Sequence, residues 1–137
     1  MHAVSPAGRA RRRGRPAGAV LRRALCVAAG WTLAATIVWL SLTPAPPTID
    51  IEQGDKLGHF LAYGSLMLWF CLLYPRRGAR VAYGLAWIGM GIGLEFIQGQ
   101  LGYRTYEVYD MYANALGVLI GWALAFAMPA GFAQKLR

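Results

Sequence analysis

Charge is scarce in this sequence. Of 137 residues only 15% are charged, and 6 are Asp or Glu, whereas 57% are hydrophobic. That balance excludes an ordinary soluble domain of this length, which needs a solvated polar surface. Cysteine is scarce as well. Cys26 and Cys71 each sit in apolar sequence without metal-ligand neighbours, which argues against a disulfide framework and against a zinc site. Cys26 precedes its apolar stretch and follows Leu25, the wrong setting for a lipoprotein cysteine. No phosphate-cradling Gly loop, Ser/His/Asp arrangement or H-E-x-x-H motif stands out. The glycines are spread at helical spacing, as packing residues would be.

What is abundant is long apolar sequence. The first block runs from Ala24 to Thr43, and twenty residues at about 1.5 Å each match the roughly 30 Å hydrocarbon core of a bilayer. It is longer than a usual signal-peptide core, and no convincing A-x-A site follows it. The run "PAPP" at Pro44 to Pro47 stops it, because proline lacks the donor and restricts its predecessor. Further blocks cover Leu57–Tyr74, with Asp55 as N-cap, then Val81–Gln98 and Val108–Met128. The fold class expected is all-α: four transmembrane helices in an antiparallel bundle. Residues 1–23 form a basic, disordered tail, residues 24–128 the membrane domain and residues 129–137 a short second tail.

Basic residues set the direction. The net charge is +8. Seven of the 14 Lys and Arg residues fall between Arg9 and Arg23, and Arg76, Arg77, Arg80, Lys135 and Arg137 lie on the same side of the spans. The other side carries Lys56 and Arg104 with Asp50, Glu52, Asp55 and Glu107. The positive-inside rule then puts both termini in the cytoplasm. A basic run directly before an apolar helix retains the terminus in the cytoplasm more often than it binds nucleic acid, so no nucleic-acid partner is expected.

With that topology, three helices deliver His59, Glu95, Gln98, Asp110 and Asn114 to one layer near the outer surface. Glu95, Gln98 and Gly91 share one helical face, and Asp110, Asn114, Gly117 and Gly121 share another. Each polar stripe therefore continues inward as a small-residue stripe suited to close helix contact. Taken singly, these residues have ordinary roles: Asp55 and Asp110 favour a helix dipole, and Asn114 bonds a neighbouring helix. Glu95 stands apart because it precedes its helix end by a full turn, where a carboxylate turns to the bundle interior or a wet cavity.

The residues Asp55, Lys56, His59, Phe60, Glu95, Gln98, Arg104, Asp110, Asn114 and Gly117, with "SLTP" ending the first span, resemble the VanZ-like membrane proteins over about Trp31 to Phe126. The resemblance implies a small bacterial inner-membrane protein of four helices. The family's namesake is linked to low-level teicoplanin resistance. Family membership does not fix a reaction, so whether the chain is an enzyme stays open. The loop "LGYR" and the tyrosines Tyr103, Tyr106, Tyr109 and Tyr112 depart from the family loop.

The leading functional expectation is an outer-leaflet site that binds or acts on a lipid-linked or headgroup-bearing molecule of the cell envelope. Membrane lipids are the expected partners, a lipid-linked cell-wall precursor among them. His59, Glu95 and Asp110 are the catalytic candidates: His59 shuttles a proton near neutral pH, and a desolvated Glu95 suits general acid–base work. Asp55, Lys56, Tyr63, Gln98, Arg104 and Asn114 are the binding candidates, with Arg104 gripping phosphate and the loop tyrosines lining the mouth. No cofactor is expected. One ligand per helix would let His59, Glu95 and Asp110 hold a divalent ion, but without a metal motif none is assigned. The alternatives are a non-catalytic accessory protein whose polar cluster locks the bundle and, further off, a small transporter.

Overall fold

A computed structural model of the chain describes residues 17–47, 53–129, 131 and 133. The basic residues from Arg9 to Arg15, together with Asp50, Glu52, Lys135 and Arg137, lie outside the described residues. Among the described residues the chain is all-helical: α1 (Ala17–Leu42), α2 (Gly54–Leu73), α3 (Arg77–Gln98) and α4 (Val108–Ala127). With 26, 20, 22 and 20 residues, each is long and apolar enough to cross a membrane. Trp39, Leu85, Leu116, Leu124 and Phe126 are exposed, so the outer surface of the bundle is apolar. Such a surface needs lipid rather than water around it. The chain is a multi-pass membrane protein.

Three of the helices, α1, α2 and α3, begin earlier than their apolar blocks do. α1 starts at Ala17, seven residues before Ala24, and so takes in Arg22 and Arg23. α3 starts at Arg77, not Val81, and takes in Arg80. Arginine is a good helix former, so helix extends beyond the stretch that hydropathy marks. Both ends are anchored by their cations. Arg23 lies over the Tyr74 ring at 5.7 Å, and Arg80 Nη2 donates to the Cys71 carbonyl at 3.2 Å. α2 also starts early, at Gly54. Its cap is Gln53, in the left-handed conformation with φ 58° and no side-chain capping bond, so Asp55 sits inside the first turn and is not the N-cap expected.

α2 is the central element. Its inner face, with Tyr63, Leu66, Met67 and Phe70, forms the core together with Trp87 of α3 and Val118 of α4. α1 crosses it at Gly30, against the Trp69 and Phe70 rings. α2 and α4 meet backbone to backbone. A Cβ on Gly117 would collide with the Phe60 carbonyl, and one on Gly121 with the Gly64 carbonyl. This is the small-residue contact expected from the glycine spacing. It brings the first turns of α2 beside the first turns of α4. The ends of α1 and α3 join them, where Gln98 Nε2 donates to the Ser41 carbonyl at 2.8 Å.

Candidate functional site

The gathered helix ends form a polar cluster with two parts. The outer part centres on Lys56. Its ammonium lies 3.0 Å from Asp55 Oδ2, 2.8 Å from Glu107 Oε2 and 3.7 Å from Asp110 Oδ1. One cation thus clasps carboxylates from α2, from the residue before α4 and from α4 itself. Lys56 was expected to bind ligand; its three partners make it a clasp between α2 and α4.

The inner part centres on His59. Its Nδ1 lies 3.1 Å from Asn114 Oδ1, and its Nε2 lies 3.5 Å from Asp110 Oδ2. An amide oxygen only accepts, so the proton on this edge of the ring belongs to Nδ1. Asn114 is itself held by space. A Cβ on Gly91 would lie 2.9 Å from Asn114 Nδ2, so only a glycine there leaves the amide room. Glu95 is almost wholly buried, at 1% exposure, and its Oε2 accepts the Glu107 backbone N–H at 3.2 Å. The ligand atoms of His59, Glu95 and Asp110 all lie within 4.8 Å of one another. Gln98 is also buried, but it turns away from this group and fastens α3 to α1 through the Ser41 carbonyl.

A cavity of about 230 Å³ opens beside the cluster, between the end of α1, the proline run and the first turns of α2. Its apolar wall is Ile37, Leu40, Pro46, Pro47 and Ala62. Its polar wall is Ser41, Asp55, His59, Tyr63 and Arg104. Tyr63 is 1% exposed, and its hydroxyl has no hydrogen-bond partner among the described residues. Arg104 makes no hydrogen bond or ion pair to any described residue. Among the expected binding residues, then, Asp55, Tyr63 and Arg104 reach the cavity together with His59. Lys56, Gln98 and Asn114 hold the helices and side chains around it.

The loop tyrosines do not line this cavity. Tyr103 donates to the Leu42 carbonyl at 2.9 Å, and Tyr106 packs on Phe96 at 5.7 Å between ring centroids. Tyr109 and Tyr112 are exposed on α4 at 72% and 68%. As amphipathic rings near a helix end, they suit a membrane interface instead. Two participants were not among the expected site residues. Glu107 pairs with Lys56 through its side chain and with Glu95 through its backbone. Ser41 contributes its carbonyl to Gln98 and a side of the cavity. The only advance sign of Ser41 is its place in "SLTP", where the first helix stops.

Comparison with known proteins corrects the family expected from these residues. No family model matches the chain, and no solved structure matches it. An uncharacterized protein of the fission yeast Schizosaccharomyces pombe is 30% identical over 94 residues, covering 66% of this chain. The chain spans 58% of that relative's length. The VanZ-like assignment therefore does not hold. A eukaryotic relative also argues against the bacterial inner membrane, and the cell-wall setting loses its support with it. Short polar motifs spaced along apolar helices recur because such helices draw on few residue types, which is why their order alone misled. What remains is a multi-pass membrane protein with a buried polar cluster beside an amphipathic cavity.

Proposed function

We propose that this protein binds the phosphate-bearing headgroup of a membrane lipid in the cavity beside His59. The observation that carries the reading is the two-sided lining: Ile37, Leu40 and Ala62 on one wall, His59, Tyr63 and Arg104 on the other. Arg104, without an ion-pair partner among the described residues, offers a fork that matches phosphate bidentately. Tyr63 lines the same cavity, and its hydroxyl is buried with no hydrogen-bond partner among the described residues. At about 230 Å³ the cavity is smaller than the roughly 300–1,000 Å³ of drug-sized pockets, so it suits a headgroup and not a whole lipid.

In this reading the four spans form an antiparallel bundle with both termini cytoplasmic, in keeping with the basic segments of the sequence. The cavity then lies at the opposite face, at headgroup depth. His59, Glu95 and Asp110 adjoin the bound headgroup as a group able to take or hold a proton or a cation. The reading assigns binding and leaves turnover unassigned. The test is a melting curve of purified protein in nanodiscs. Phospholipid nanodiscs should give a higher unfolding temperature than nanodiscs of a phosphate-free galactolipid, and Arg104→Ala should abolish the difference. Equal curves for wild type in both lipids would overturn the reading.

An accessory, purely structural reading has one observation in its favour. The contacts of Lys56 and Gln98 join helices rather than face the cavity. It accounts for those two residues and leaves the Tyr63 hydroxyl and the Arg104 guanidinium without a hydrogen-bond or ion-pair partner among the described residues.

A further inference from the structure

The geometry points to a divalent-cation site made by His59, Glu95 and Asp110, one ligand each from α2, α3 and α4, that takes a first-row transition ion such as Zn2+ or Mn2+. Their ligand atoms lie within 4.8 Å of one another. Ligands at about 2.0–2.2 Å around a tetrahedral ion stand about 3.4 Å apart, so small side-chain rotations close the site.

Three further observations support it. Asn114 accepts from His59 Nδ1, which leaves Nε2 facing Asp110. A hydrogen bond from the far ring nitrogen to a carbonyl is how proteins commonly orient a metal-binding imidazole. Next, the Asp110 side chain is 10% exposed, and its buried Oδ1, 3.7 Å from the Lys56 ammonium, accepts no hydrogen bond among the described residues. Its Oδ2 stands 3.5 Å from His59 Nε2, beyond the usual N–H···O range of about 2.7–3.2 Å. Lastly, charge balance singles out this group. Asp55, Glu107 and Asp110 also cluster within 4.8 Å, but the Lys56 ammonium already stands among them at 3.0, 2.8 and 3.7 Å. Of the inner carboxylates, Asp110 meets Lys56 only at 3.7 Å and Glu95 has no cation within ion-pair distance among the described residues, so a divalent ion there would meet buried charge that Lys56 does not fully match.

The donor set narrows the ion. Imidazole with carboxylates suits Zn2+ or Mn2+ better than the all-oxygen preference of Mg2+ and Ca2+. Three protein ligands leave a coordination position open, as in sites that engage an exogenous group. The cation site stands on its own residues and does not depend on the headgroup reading.

The test uses full-length, tag-free protein in detergent, stripped with chelator and reloaded with Zn2+ or, separately, Mn2+. Metal content by mass spectrometry should approach one equivalent per chain in wild type. Asp110→Asn and Glu95→Gln should each retain less than about a tenth of that, while Gln98→Leu retains it all. Asn114→Ala should weaken binding by about 10–100-fold, the usual cost of losing an orienting partner. X-ray absorption of the zinc-loaded wild type needs no variant to fold, and it should show one imidazole with oxygen ligands. Wild type that takes up no stoichiometric metal would overturn the site. So would full retention in Asp110→Asn and Glu95→Gln, or an absorption spectrum lacking imidazole. Lipid binding that persists without metal would leave the headgroup reading intact.

Discussion

His59 Nδ1 and Asn114 Oδ1 lie 3.1 Å apart, joining α2 to α4 inside the bundle. That contact holds the imidazole so that its Nε2 faces Asp110. Nitrogen-15 NMR of selectively labelled histidine should find His59 protonated at Nδ1, and Asn114→Ala should lose that preference. The substitution should also lower stability by about 0.6 kcal/mol, and by no more than about 1.7, the range of hydrogen bonds between membrane helices.

The backbone contact between α2 and α4 is the most sensitive place in the fold. Gly117→Ala and Gly121→Ala each put a methyl group against a carbonyl of α2. Each should cost about 1–3 kcal/mol or more, the usual penalty of overpacking, measured by unfolding in mixed micelles. Gly89→Ala is the control: nothing lies within 4 Å of its added methyl group, and it should be as stable as wild type or more stable by up to about 1 kcal/mol, the gain of alanine over glycine inside a helix.

Tyr63→Phe separates binding from folding. The hydroxyl is buried without a hydrogen-bond partner among the described residues, so its removal leaves the packing of the ring intact. Unfolding experiments should find the variant as stable as wild type, or more stable by about 1 kcal/mol. Lipid retention should fall at the same time. A stable variant with unchanged lipid retention would remove Tyr63 from the binding site.

Lys56→Met should lower the unfolding temperature, because it strips the cation from Asp55, Glu107 and Asp110 together. Lys56→Arg should recover part of the loss. Adding Glu107→Gln to Lys56→Met should be less harmful than the two separate losses combined, since the carboxylate no longer lacks a partner. The loss should also shrink at high salt if Glu107, 38% exposed at its side chain, is the main partner.

Much of the fold was legible because apolar length and proline stops translate directly into spans. The end of α1 at Leu42 and the start of α4 at Val108 follow from "PAPP" and from the apolar pattern. The starts of α1 and α3 were not legible, since arginines lower hydropathy while continuing the helix. At the site, helical spacing was enough to group Glu95 with Gln98 and Asp110 with Asn114. Spacing could not show that Gln98 bonds the Ser41 carbonyl while Glu95 faces His59, because that choice depends on how α1 and α3 cross. Nor could it find the reach of Glu107 to Lys56, which follows from how closely the glycines bring α4 to α2.

The most direct test of the account is native mass spectrometry of gently solubilised protein, comparing wild type with Arg104→Ala and Tyr63→Phe. The account predicts a phosphate-bearing lipid retained on wild type through activation that strips bulk detergent and lipid, and markedly reduced on both variants. Wild type that carries no specific lipid, or variants that retain the same lipid equally well, would contradict it.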